Sequence, residues 1–417
     1  MVARRLHQGT YEATLDSGLR ILIEEVPQSR SVSVGVWVPV GSRDDPAAAP
    51  GLAHFIEHLA FKGTTTRAAA EISREIDAVG GSLNAATGRE STVYYVDTPS
   101  DGLTTALDLL ADLTLHPAFS PENVELERAV VLDEIRGHND DPEAFAFDRF
   151  IEGVWGSEHA LSRTVLGTST AIERIRREDV VAHHRQSYRP SQMVLAVAGA
   201  VDVERLLDAV GSRFDSDFQG AGRGGSRTPP RFLEGRESLE RDGGQVHLHL
   251  ALAGQPTTDP DRYALEVTNT VFGDGTSSRL FRAVREDRGL AYSVGSTLMR
   301  YTDTGLWVAY ASTSPTQGGT VRALIEDEFV RLAERGLDDG ELRLAKSRLR
   351  GLFILGMESN AHRAMRLGTA AITGREILSP EEVLHRLETV SADDVADTIE
   401  RFVRPEALRV SLVGPAT

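Results

Sequence analysis

The run His54-Phe55-Ile56-Glu57-His58 has the residue types and spacing of a metal site. At 100° per residue, positions 54, 57 and 58 share one helix face, so imidazoles at i and i+4 can meet a single cation. The chain contains no cysteine, which excludes disulfides, thiolate zinc sites and cysteine nucleophiles. Any metal must therefore be held by His, Asp and Glu. Zinc, one ion per chain, suits two neutral imidazoles and one carboxylate. Such a set leaves a coordination position for water, whereas four protein groups usually close a structural site. The motif demands a third ligand from elsewhere.

A helix expected from Ser120 to about His138 supplies candidates. Ser120 is a good N-cap and Pro121 a good first helical residue. One stripe of this helix carries Val124, Glu127, Val131, Glu134 and Ile135, so two glutamates lie on an otherwise apolar face. A charge buried without a partner is costly, and a cation with its imidazoles would satisfy at least one of the two. Spacing alone leaves open which one.

The elements that position these groups belong to an internal repeat. The strand Val32–Val38, Asp45-Pro46 and a helix from about Pro50 to Phe61 are matched by Val246–Ala253, Asp259-Pro260 and a helix ending near Phe272. Each set is followed by a second helix (67–79; 278–287), a pair of strands and a long helix. On the long helices Phe119, Leu126 and Ile135 correspond to Leu337, Leu344 and Phe353, an offset of 218 throughout. The repeat acts as an internal control. Thr268–Phe272 stand opposite His54–His58, and Ala345 and Leu352 opposite Glu127 and Glu134, so all five ionisable groups are missing from the second copy.

The fold class expected is α+β: two homologous domains, each a mostly antiparallel sheet covered on one face by helices. The stretch QGAGRGGSRTPP, residues 219–230, reads as a Gly/Pro-rich linker between domains 1–218 and 231–417. Forty-five basic and 62 acidic residues give a formal charge of −17, which opposes nucleic acid and anionic lipid. No stretch is apolar enough to span a bilayer and no secretory segment is readable near the start, so neither nucleic acid nor membrane is an expected partner and the expected compartment is cytoplasmic.

With these features assembled, the chain resembles the pitrilysin family of inverted-motif zinc peptidases, whose His-x-x-Glu-His helix reverses the commoner order. GLAHFIEHLAFKGT (51–64) and GGSLNAATGRESTVYY (80–95) are similar to the processing-peptidase branch, as in a bacterial homologue of the mitochondrial beta subunit. ERAVVLDEI (127–135) falls where the family has its third ligand, and SSRLFRAVREDRGLAYSV (277–294) where it has an Arg and a Tyr that contact substrate. The resemblance covers nearly the whole chain. It implies His54, His58 and Glu134 as zinc ligands, Glu57 as general base towards the zinc-activated water, and Glu127 as support behind the ligands. Arg285 and Tyr292 would touch substrate, with Tyr292 donating to the developing oxyanion, and Asn84 and Ala85 would lie at a strand that takes up extended peptide. The implied activity is a metalloendopeptidase working in a dimeric clamshell, here a homodimer whose Arg285 and Tyr292 act in trans. The acidic chain would favour basic peptides.

Two alternatives remain. One is a non-catalytic structural or peptide-binding subunit of a peptidase complex, against which the intact His54, Glu57, His58 and Glu134 set speaks. The other is a different zinc hydrolase, distinguished by its products. His247 and His249 are expected on an exposed strand face, and His183 and His184 on opposite sides of their element or on a helix surface, without a role.

Overall fold

A computed structural model describes residues 2–215 and 227–415. The first unit has a seven-stranded sheet: β1 (Arg4–His7), β2 (Thr10–Thr14), β3 (Arg20–Glu25), β4 (Ser31–Val38), β5 (Ser82–Thr87), β6 (Thr92–Pro99) and β7 (Val194–Gly199), in the order β1-β2-β3-β7-β4-β6-β5. The second has five: β8 (Gly235–Glu240), β9 (Val246–Gly254), β10 (Ala291–Arg300), β11 (Gly305–Thr313) and β12 (Arg409–Gly414), in the order β10-β11-β9-β12-β8. Without β1 and β2, the first order read from the β5 edge is β5-β6-β4-β7-β3, the pattern of the second sheet. Even the single parallel pair recurs, β3 with β7 and β8 with β12. The duplicated α+β unit expected from the sequence is present, and the long helices Pro121–Asp140 and Asp339–Gly356 begin at the same offset of 218.

Two features depart from expectation. Residues 1–136, 163–227 and 355–379 form one contact group, and 137–162, 228–354 and 380–417 the other. These groups do not follow a single cut at residues 219–230, of which 219–226 lie outside the described residues. Instead, helix Pro142–Trp155 packs on β9 and β12, and helix Asn360–Ile372 on β3, β4 and β7. Each unit thus holds a helix encoded in the other half. As a result, helices do not cover one sheet face alone. The main core of the first unit lies on one face, while Leu367, Ala370 and Ala371 pack with Trp37, Val93 and Ala196 on the other. This explains why seven of the eight β4 residues are buried, although the strand pattern alone asks for one buried face. Gly368 comes so close that a Cβ there would lie 2.4 Å from the Trp37 indole. The helix is pinned by Arg363 and by Arg366, whose Nη2 lies 2.9 Å from Oε2 of the buried Glu24.

The exchanged helix also corrects the reading of the strand histidines. His247 and His249 are buried because helix Pro142–Trp155 covers them. Phe150 stacks on His249 with ring centroids 5.1 Å apart, and His247 Nδ1 meets Ser312 Oγ at 3.0 Å. His183 and His184 are also buried. His184 Nε2 donates to the Thr114 carbonyl at 2.9 Å, and its ring stacks on Tyr188.

Candidate metal centre

Helix Leu52–Ala60 turns its apolar side, Phe55, Ile56 and Leu59, into the first unit's main core, leaving the histidine face free. Its start is defined by Gly51, at φ 94°, where a Cβ would collide with the Leu166 carbonyl at 2.5 Å. Asp45 caps the same end, accepting from Gly51 N–H at 2.7 Å and Ala53 N–H at 2.9 Å. Burial pushes the Asp45 carboxyl up to about 7, against the pull of those backbone donors. Helix Pro121–Asp140 is held in the same core by Val124, Val131 and Ile135. The glutamates between these apolar residues are thereby aimed at the histidine helix.

The two helices bring His54, His58 and Glu134 together, one ligand atom from each lying within 4.8 Å of the others. Glu134 Oε2 is 3.8 Å from His54 Nε2 and 3.5 Å from His58 Nε2. Ligands about 2.0–2.1 Å from a tetrahedral zinc stand roughly 3.4 Å apart, and the two separations from Glu134 lie close to that value. The nitrogen chemistry fits as well. Burial, and then His58 beside it, hold His54 down to about 4, so its ring is neutral near pH 7 and its lone pair is available. His54 Nδ1 is buried without a hydrogen-bond partner, so no protein contact fixes its tautomer. A cation at Nε2 would do so.

Glu127 takes a different place from Glu134. It is 3% exposed, with Oε2 accepting from His58 Nδ1 at 3.2 Å and Oε1 meeting Lys62 Nζ at 2.7 Å. That contact leaves His58 Nε2 as the nitrogen facing Glu134, the arrangement of an outer carboxylate behind a metal-binding histidine. Sequence reasoning did not single out Lys62. Its signal was its place four residues after His58, just past the end of that helix. Glu57 lies outside the triangle and accepts from the Thr87 hydroxyl. Burial raises its carboxyl above the ordinary range, while the Thr87 donors oppose that shift. Thr87 too was missed; its signal is the alternation that places it on the same strand face as Ala85.

Asn84 and Ala85 lie on β5, the open edge of the seven-stranded sheet. Gly88 N–H bonds to Ser91 at the hairpin turn, so ladder alternation leaves the N–H and C=O of Leu83, Ala85 and Thr87 pointing away from β6. Asn84 Oδ1 accepts from Ala85 N–H at 2.8 Å and so occupies one of these edge donors. Arg285 and Tyr292 belong to the second unit and meet each other. The Arg285 guanidinium sits 4.5 Å from the Tyr292 ring centroid and donates to the Tyr292 carbonyl at 2.9 Å, leaving the Tyr292 side chain exposed. The helix expected over 278–287 is a turn of π-helix at Phe281–Glu286.

The Insulinase (Peptidase family M16) profile matches residues 20–169, and the Peptidase M16 inactive domain profile residues 174–349. An uncharacterised zinc protease of Mycobacterium leprae is 40% identical over 93% of this chain and 88% of its own length. One of Bacillus subtilis is 30% identical over 97% and 98%. Among solved structures, a protease from Helicobacter pylori superposes with a TM-score of 0.92 at 21% identity, covering 97% of this chain and 99% of its own. A peptidase M16 inactive domain from Pseudomonas fluorescens gives 0.91 at 20%, with 98% of each chain covered.

Proposed function

The chain belongs to peptidase family M16, the family of zinc proteases, and from that premise we propose that it is a zinc-dependent endopeptidase whose general base is Glu57. The observation that carries this reading is the convergence of His54 Nε2, His58 Nε2 and Glu134 Oε2, with a partly desolvated carboxylate beside them that is not one of the three. His54, His58 and Glu134 would hold one zinc ion, and Glu127 with Lys62 would hold His58 in its ligating orientation. When bound, the ion would polarise the peptide carbonyl and acidify a water molecule. Glu57 takes the proton of the attacking water and returns it to the leaving amine, a task suited to a carboxylate whose affinity for a proton burial has raised.

Substrate is proposed to add as a strand along β5, using the edge groups of Ala85 once Asn84 releases the Ala85 N–H. Arg285 would orient the peptide, and Tyr292 would donate to the oxyanion from a second copy of the chain in a homodimeric chamber. The formal charge of −17 supports a preference for basic peptides. No helix among the described residues is long and apolar enough to cross a membrane, and we place the activity in the cytoplasm.

The primary test is metal analysis combined with hydrolysis of an internally quenched basic peptide. One zinc per chain, internal cleavage, and loss of both on removing His58 are expected. Metal-free protein that cleaves at full rate, or products cut only from the peptide ends, would overturn the reading. Mixing Glu57→Gln chains with Tyr292→Phe chains tests action in trans, where recovered activity is expected. Equal cleavage of acidic and basic peptides would end the charge argument.

A further inference from the structure

We infer that Thr87 is a positioning residue for Glu57, fixing which way its carboxylate faces through a hydroxyl donated from the sheet edge. This rests on the peptidase reading above. An ionised carboxylate only accepts, so in the contact between Thr87 Oγ1 and Glu57 Oε2 the hydroxyl must be the donor. The backbone N–H of Thr87 adds a weaker pull on the same carboxylate. That amide is free to do so because the β5–β6 ladder uses Gly88 N–H, bonded to Ser91, and by alternation leaves Thr87 N–H on the open side.

What holds Thr87 is itself buried and bonded. Thr92, its cross-strand partner, is fully buried, and its hydroxyl donates to the Val40 carbonyl at 2.9 Å while standing 3.4 Å from Thr87 Oγ1. The Thr87 hydroxyl has one proton, and the Glu57 carboxylate is a closer and stronger acceptor for it than Thr92 Oγ1, so that proton goes to Glu57. Beneath this pair, Tyr94 and Tyr188 are buried with their hydroxyls 3.0 Å apart, giving the strand a rigid floor. The consequence is mechanistic. The strand proposed to receive the peptide also holds the base, so the register of bound peptide and the direction of proton transfer are set by residues two positions apart, Ala85 and Thr87.

The test uses full-length Thr87→Val, which keeps the shape and the backbone donor but removes the hydroxyl, and Thr87→Ser, which restores it. Thr87→Val is expected to lower kcat about 10- to 100-fold, the worth of one hydrogen bond to a charged group, with KM within about twofold and zinc content and Tm unchanged. Thr87→Ser is expected to return kcat to within about threefold of the parent. A readout independent of turnover is the crystal structure of each metal-free variant, in which the Glu57 carboxylate turns away in Thr87→Val and stays in place in Thr87→Ser. An unmoved carboxylate in Thr87→Val, or an unchanged kcat, overturns the inference. Full activity of Glu57→Gln would instead overturn the peptidase reading, while the crystallographic arm would still decide whether Thr87 holds that side chain.

Discussion

The two units share one strand order and one set of long helices, yet only the first gathers His54, His58 and Glu134. Where the first unit has His54, the second has Thr268, bonded to the Ala264 carbonyl, and opposite Phe55 it has Asn269, whose Oδ1 accepts from Ser296 and Trp307. Phe272 there joins an aromatic core with Trp307 and Phe329, ring centroids 5.2 and 4.3 Å away. Glu127 and its counterpart Ala345 are equally buried, 3% and 2% exposed, so the same location is an apolar contact in one copy and a charged brace in the other. The fold tolerates either. The ionisable groups are therefore an addition to the scaffold, and their cost must be offset locally by Lys62, His58 and the expected cation.

The strongest way to break this contrast is at Glu57. Glu57→Gln is expected to lower kcat at least about 10³-fold while leaving zinc content and Tm unchanged, measured by peptide hydrolysis and metal analysis. Its place outside the ligand triangle predicts that separation; loss of metal with the activity would make it a ligand instead. Next in size, Ala345→Glu puts a carboxylate at the brace position of the second unit without Lys or His to receive it. We expect a loss of about 3 kcal/mol in denaturant unfolding. An unchanged midpoint would show that burial in the second unit is looser than described.

Acid should act on both units. Burial holds both His184, in the first, and His249, in the second, down to about 4. A depressed histidine is neutral when folded, so its stabilising share is fully present above the unfolded value near 6.5 and is lost as pH falls towards 4. Each contributes about 3 kcal/mol to that loss. Unfolding monitored from pH 7 to 4 should show the decline, and His184→Phe or His249→Phe should each flatten part of it. A decline unaltered by both substitutions would place the acid sensitivity elsewhere. The smallest effect is reserved for Glu127→Gln, which keeps the shape but weakens the hold on His58. Zinc affinity is expected to fall about tenfold, measured by competition with a chelator. No fall would reduce Glu127 to a packing residue.

Much of this contrast was legible in the sequence because it depends on local periodicity. The i, i+4 histidines, the stripe bearing Glu127 and Glu134, and the constant offset between the long helices each follow from residue types within one element. The strand of Asn84 and Ala85 was placed by the family resemblance, since a hairpin pattern does not say which strand ends a sheet. What could not be read depends on which surfaces meet. Helices Pro142–Trp155 and Asn360–Ile372 are amphipathic, but periodicity does not say which sheet an apolar face will cover. The burial of His247 and His249 was lost with that information. Lys62 and Thr87 escaped for the same reason, since each acts through a partner on another element, Glu127 and Glu57.

The reciprocal placement of those two helices has a consequence for how the chain can be divided. A gene split between codons 215 and 227 would yield two polypeptides, each carrying a helix that belongs on the other's sheet and each lacking its own. Expressed alone, either fragment would expose an apolar surface, Trp37 and Val93 in one and the ring-stacking face of His249 in the other. Only co-synthesis would let both mature, so the duplicated halves are bound to a common fate despite their divergent chemistry.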